Sequence, residues 1–540
     1  MDFDPGAGVD NKTSAGDYDI FFSKYDASHA ISGTITAGGS QLSGVTIDAG
    51  AFGATTSAAN GSYSFSNVAH GTNYTLSPSL AGYSFTPSTT IDSEITITNT
   101  SLVSPVHTFW NGFLWIVNVL ELLNPENSAT PTTIVFRDIQ GEILSTSTIT
   151  IPANAQRDII INDLPGFSTS SYGIVSVDTG SNSIDGRITY YLPSSDSWTS
   201  EFNFAFSLPF LSATHGNSYA IYNTYNPSQN AEDLAYLVPT WLSIANLSAE
   251  KEDFTIRYRD QLGAEITTAT LRIPPYGRRD IQAGHEFGQN SIVGIVSVEP
   301  ENSDATYITS MNRYGISAID GHYNFAFGVP TRAGNAAKML LPVAGEGLIV
   351  LELANSSSLQ NTVALTWYDQ NGTELLSQTK TLAPFAQEHL IASSIIPAGD
   401  SGTVTVDGSA PRLAGASGYL YDNATGQILA EHYSEARESF GTTLSDSFNT
   451  FLSMNNWLRI GNISTSQQNA IIDYGSGVTT SVSIPAHGRR DVLIPADELN
   501  TETYGAFTLR SSLPGVLSAD VVRARVLNGE LDYLTVTPVR

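Results

Sequence analysis

One nine-residue stretch returns along the chain and constrains everything else. It reads Ile151-Pro152-Ala153-Asn154-Ala155-Gln156-Arg157-Asp158-Ile159, then Ile273-Pro274-Pro275-Tyr276-Gly277-Arg278-Arg279-Asp280-Ile281, then Ile484-Pro485-Ala486-His487-Gly488-Arg489-Arg490-Asp491-Val492. A worn copy runs from Leu382 to Leu390. Each copy has the grammar of a strand end, a tight turn and a new strand, and self-similarity at a near-constant period marks an array of repeated units. Three further landmarks drift with it. An Asn stands at 124, 246, 355 and 462, in steps of 122, 109 and 107 residues. An Asp stands at 138, 260, 369 and 473, and a Gly at 173, 294, 402 and 505. Four tandem domains of ordinary size follow, with boundaries at 103–212, 213–332, 333–441 and 442–540.

Within a repeat the pattern is that of strands. Phe254, Ile256 and Tyr258 alternate with Thr255, Arg257 and Arg259, the mark of a half-buried strand. The slot two residues before the landmark Asp holds Phe136, Tyr258, Trp367 and Ile471, all read as core. Asp138 to Gly141, Asp260 to Gly263 and Asp369 to Gly372 read as hairpin turns, with Gly where positive φ is needed. About seven strands per repeat predict an immunoglobulin-like sandwich. The expected fold class is therefore all-β, tandem β-sandwich domains in an elongated array.

Composition narrows function by exclusion. The chain carries 24 Lys and Arg against 52 Asp and Glu, a net charge of −28. Such a chain repels phosphates and anionic lipid, so neither nucleic acid nor membrane insertion is expected. With no Cys, disulfides and thiolate metal sites are excluded. The most apolar stretch, Phe113 to Leu123, is short and broken by Asn118 and Glu121. The first residues lack a basic start and an apolar run, so they do not read as a signal peptide.

Two segments before the repeats resemble known families. Asp2 to Asp10 and Thr13 to Asp26 closely resemble one blade of a bacterial β-propeller repeat family. A lone partial blade cannot close a ring, so residues 1–28 read as a propeller remnant, or else as a strand donated to a neighbour through Tyr18 to Tyr25. Residues 29–102, with Ile31 to Ile35, Asn60 to Phe65 and Gly82 to Pro87, resemble the carboxypeptidase regulatory-like domain. That resemblance implies a transthyretin-like β-sandwich, a non-catalytic module of long exported proteins.

Candidate sites are few. Trp115, Trp241 and Trp457 begin corresponding strands and read as core, against an alternative sugar-stacking stripe. Trp198, in a polar hairpin tip, is a candidate surface contact, as are Tyr18, Ile20 and Phe22 in the arm. The pairs Arg157-Asp158, Arg279-Asp280 and Arg490-Asp491 read as strand-start ion pairs that also tie one domain to the next. Asp2, Asp4 and Asp10 do not fit an EF-hand spacing. Asn73, Asn246 and Asn462 lie in glycosylation sequons. No His cluster, nucleophile elbow or phosphate-cradling loop is present, so no catalytic residue, metal or cofactor is expected. The expectation is a non-catalytic extracellular or cell-surface protein of bacterial type: a stalk, scaffold or fibre component. Its partners would be copies of itself or cell-surface components, with glycans as a further candidate. A filament subunit using strand donation and a carbohydrate-active or carbohydrate-binding protein are the alternatives.

Overall fold

The computed structural model describes 28–37, 40–49, 53–69, 74–80, 84–85, 89–90 and 101–103, and then 105–540. In that last span the stretches 181–182, 196–199, 230–237, 284–291, 317–320, 439–442, 496–498 and 500–502, with the single positions 322, 423, 425, 427, 476 and 514, fall outside the description. The chain divides into two compact units, Met1–Ser104 and Pro105–Arg540. The arm, and with it Tyr18, Ile20, Phe22 and the Asp2, Asp4 and Asp10 carboxylates, lies outside the described residues.

The first unit is all-β. Ser28–Thr34 pairs antiparallel with Ser62–Ala69, and Thr46–Asp48 lies between Ala54–Thr56 and Ser77–Ser79. Ser101–Val103 runs parallel to Thr36–Ala37. Ile35, Val45, Ile47, Tyr63, Phe65 and Leu76 form its core.

The second unit holds the four repeats, and among the described residues each has eight strands rather than about seven. In repeat one these are Val106–Asn111, Val117–Asn124, Thr130–Asp138, Ile143–Ile151, Ala155–Ile160, Tyr172–Asp178, Asp185–Pro193 and Phe202–Pro209. Strands one, six, three and four make one antiparallel sheet, and strands five, two, seven and eight make the other. The same order recurs in the other three repeats. The expected all-β tandem sandwiches are therefore present.

The landmark residues explain how each sandwich is locked. Asn124, Asn246, Asn355 and Asn462 are fully buried at the end of strand two. Each Nδ2 donates to the carbonyl four residues on (Ser128, Glu250, Leu359, Ser466) at 2.7–2.8 Å. Each also donates to the recurring turn, at Pro152, Pro274, Ala383 or Pro485. Each Oδ1 accepts the N–H two residues on. One side chain thus satisfies backbone groups of two loops that no strand could pair. The sequons at Asn246 and Asn462 are consumed by this role. Asp138, Asp260 and Asp369 cap their hairpins by accepting two backbone N–H groups each.

In repeat four the expected register is wrong. Ile471 is 51 % exposed, whereas Ile472 and Tyr474 are buried. Asp369 pairs with landmark Gly402, but Asp473 pairs with Thr508, three residues past Gly505. Tyr474, twelve residues after Asn462 as Trp367 is after Asn355, fills the core slot. Asp473 caps Gly475 but is not the counterpart of Asp369.

The repeats do not run end to end. Their eighth strands, Phe202–Pro209, Tyr323–Pro330, Ile428–Glu435 and Glu530–Pro538, pack in a circuit: one on two, two on three, three on four, and four back on one. The elongated arrangement expected from sequence therefore does not describe this unit. The physical reason shows in the seventh strands. Tyr307–Ile316 is buried at every position but its last, which requires cover on both faces. The interiors are also joined. One apolar cluster runs from Trp110 and Phe136 of repeat one through Tyr258 and Phe327 of repeat two to Val350 and Tyr419 of repeat three. Another joins Tyr191 and Phe202 of repeat one to Met454 and Tyr533 of repeat four.

Candidate functional site

The joints between repeats account for the most polar residues. Arg278, 2 % exposed, is held by Asp280 and donates to the Trp110 and Gly173 carbonyls of the preceding repeat. Arg489 does the same with Asp491 and the Val343 carbonyl. The second arginine of each pair, Arg279 or Arg490, reaches the preceding hairpin at Ile139 or Gln370. The tie between domains is as expected, but the ion pair runs from the first arginine to an Asp two residues on, not between neighbours. In repeat one Gln156 takes that place, bonded to Asp158 at 2.6 Å.

At the other two joints the charge arrangement reverses. Glu352 of repeat three receives Arg313 of repeat two at 2.7 and 3.0 Å. Glu121 of repeat one receives Arg523 of repeat four, with 2.7 Å to each oxygen, and Thr189 at 2.7 Å. Arg187 adds a contact at 3.6 Å to Glu121 and bonds Asp446 and Thr537 of repeat four. Burial pushes the Glu121 carboxyl up, but Arg523 and Arg187 outweigh it and hold it below the usual carboxylate range. Asp158 goes the other way: burial first, then the Glu121 charge, push it up to about 7. Among the described residues Glu431 has no hydrogen-bond partner, and burial pushes it well above the ordinary value. Perturbed acids mark catalytic sites only where substrate can reach them. Glu121 is 1 % exposed and saturated with donors, so it is a structural tie. Among the described residues no group of three or more His, Asp or Glu is placed to hold a metal ion.

The tryptophans depart from expectation. Trp110 and Trp367 are the buried ones. Trp241 and Trp457, 38 % and 39 % exposed, stand one residue before inward Leu242 and Leu458, so the two-residue period turns them outward. Trp115 is not in a strand. It ends the single turn Phe113–Trp115 and is 76 % exposed. Trp198 lies outside the described residues.

The turn that carries Trp115 is built by asparagines. Asn118 accepts the Asn111 N–H at 2.8 Å and donates to the Asn111 carbonyl at 2.7 Å, while Asn111 accepts the Phe113 N–H at 2.9 Å. Asn162 braces the far side, accepting the Asn118 N–H and donating to the Ile116 carbonyl. Gly112 begins the turn because a Cβ there would strike the Ser168 carbonyl oxygen. Leu114 and Trp115 both hold positive φ, 60° and 61°. Repeat four builds the same turn with Asn449 and Asn456, with Leu452 and Ser453 at φ 57° and 60°, and with Phe451 against Tyr504 as Phe113 lies against Tyr172. There, however, the third residue is Ser453.

Beside Trp115 lies a cleft of about 630 Å³. Leu114, Val117, Leu192 and Pro193 line it with Asn162, Ser194, Ser195 and Asn203 of repeat one and Gly321 and Tyr323 of repeat two. Among the described residues its lining holds no charged side chain. The sequence offers Trp115 only as part of an alternative sugar-stacking stripe with Trp241 and Trp457; the cleft itself is not legible there, because its residues are drawn from turns and strand ends far apart in the chain. The chain matches no protein-family model, and no curated protein is significantly similar to it.

Proposed function

We propose that this chain is a non-catalytic scaffold of bacterial type that works outside the cell or at its surface. The observation that carries this reading is where the recurring polar residues go. The four landmark asparagines and the Arg278 and Arg489 ties are consumed by backbone carbonyls of their own or the preceding repeat. What the repeats share builds a body, not a shared reaction centre. The net charge of −28 suits a soluble surface. The resemblance of residues 29–102 to the carboxypeptidase regulatory-like domain supports an exported setting, and that of residues 1–28 to a propeller blade adds to it. Its partners would be cell-surface components or further copies of the chain. Two measurements test the reading: hydrolysis assays of the full chain on polysaccharides, esters and peptides, and antibody labelling of intact producing cells. Silence in the first and labelling in the second are expected. Turnover that an acidic-residue substitution abolishes would overturn the non-catalytic part, and signal only after lysis would overturn the location.

A further inference from the structure

We infer that the cleft beside Trp115 is a binding site for a neutral saccharide, stacked on the indole and hydrogen-bonded by Asn203, Ser194 and Tyr323. The inference does not depend on the scaffold reading.

Trp115 does little for the fold. A large apolar side chain that is 76 % exposed has kept most of its hydration cost. Its backbone sits at φ 61°, a conformation unfavourable to a bulky residue. The equivalent turn in repeat four keeps the same dihedrals, the same asparagine pair (Asn449 and Asn456, in place of Asn111 and Asn118) and the same aromatic pair with Ser453 in that place, and among the described residues it does so without a counterpart of the Asn162 brace. The turn therefore does not need an indole. What remains is an aromatic face held rigidly at the mouth of a cleft.

The lining selects the class of ligand. Small-molecule sites typically have volumes of ~300–1,000 Å³, with apolar walls and a few convergent polar groups, and this one fits at about 630 Å³. Among the described residues the side chains of Asn203 and Ser194 and the Tyr323 hydroxyl have no hydrogen-bond partner, whereas Asn162 is used up in bracing the turn. These groups offer an amide donor and acceptor and two hydroxyls, all uncharged. Among the described residues the lining holds no Arg or Lys to neutralise a phosphate or carboxylate and no acid to hold a cation. A pyranose has an apolar C–H face for the indole and equatorial hydroxyls for the rim, which matches an apolar platform beside neutral donors and acceptors.

The test uses the full-length chain titrated by calorimetry and tryptophan fluorescence. The probes are neutral oligosaccharides of glucose, xylose, mannose, galactose and N-acetylglucosamine, with an alkyl glycol below its micelle concentration and inorganic phosphate as further arms. At least one oligosaccharide should bind saturably. Trp115→Ser, which copies the natural repeat-four turn and so keeps the fold, should weaken it by roughly tenfold or more. Asn203→Ala should weaken it by about three- to tenfold with unchanged circular dichroism. Trp115→Phe should fall between. Binding of none of the five saccharides overturns the proposal. So does saccharide binding that Trp115→Ser leaves intact, and so does saturable binding of the alkyl glycol or phosphate alone.

Discussion

Removing Arg523 should break the closure between repeats four and one. Its guanidinium lies 2.7 Å from both Glu121 oxygens, and its other nitrogen reaches the Ser447 carbonyl and hydroxyl at 3.3 and 3.1 Å. At an effective dielectric of about 20 a pair at this separation attracts by roughly 6 kcal/mol before desolvation. Breaking such a pair from one side typically costs ~3–5 kcal/mol, because the remaining charge stays buried. Arg187, 3.6 Å from Glu121, retains part of the compensation, which places Arg523→Ala near the lower end, about 3 kcal/mol. The orphaned carboxyl would then bind a proton more readily than in the parent, so the loss should shrink between pH 8 and pH 5. The assay is urea unfolding at both pH values, alongside hydrogen exchange over Val117–Asn124. Replacing both partners, Glu121→Leu with Arg523→Met, should restore most of the stability. A cost below about 1 kcal/mol with no pH dependence would refute the reasoning, because it would mean that Glu121 is not desolvated.

Other substitutions probe other links. Asn355→Ala removes a side chain bonded to Leu359, Ala383 and Ser357 backbone groups and should cost roughly 3 kcal/mol by denaturant midpoint; Asn355→Asp, which lacks the donors, should not rescue it. Gly263→Ala places a Cβ 2.1 Å from the Pro384 carbonyl oxygen at φ 89°, so it should cost about 2 kcal/mol or more and loosen the joint between repeats two and three in hydrogen exchange. Asp158, pushed up to about 7 from an ordinary 3.8, binds its proton more tightly folded than unfolded. Its contribution therefore declines as pH rises from about 4 through 7 and is flat above; half-burial limits the decline to roughly 2 kcal/mol, and Asp158→Asn should flatten that part of the curve of melting temperature against pH. Trp115→Ser should leave the unfolding free energy within about 0.5 kcal/mol of the parent, since the indole packs little.

What could be read from the chain was local. The Ile-Pro turns, the hairpin glycines and the buried asparagines announce themselves because each solves a backbone problem within about thirty residues. The eighth strand was visible as Phe202 to Phe206 and Tyr323 to Phe327, but not what it packs on. Ile471 departs from the pattern because Asp473 stands three residues before the structural counterpart of Asp369; counting twelve residues from Asn462 finds Tyr474 in the core slot. Trp241 and Trp457 were assigned to the core by residue type, although period-two counting from Leu242 and Leu458 turns them outward. The circuit itself lay in residues passed over. Glu121 and Glu352 each stand three before the landmark Asn inside an apolar strand, in repeats one and three alone. A carboxylate there is a buried charge requiring a partner, and its absence from repeats two and four marked the alternation of joints. The partner arginines, 313 and 523, lie in other repeats, beyond any local pattern.

The closed circuit is most directly tested by one distance. The chain contains no Cys, so spin labels on Cys introduced at Glu201 and Glu530, both exposed, would be specific. Phe202 N–H bonds Asp532 at 2.9 Å, so the two labelled positions, within two residues of that bond at ~3.3 Å per residue, should lie within about 20 Å of one another. A narrow distribution there, measured by pulsed dipolar spectroscopy on the full chain, is the expected result. A broad distribution centred beyond about 60 Å, the separation of four sandwiches laid end to end on eight- to nine-residue strands, would contradict the account.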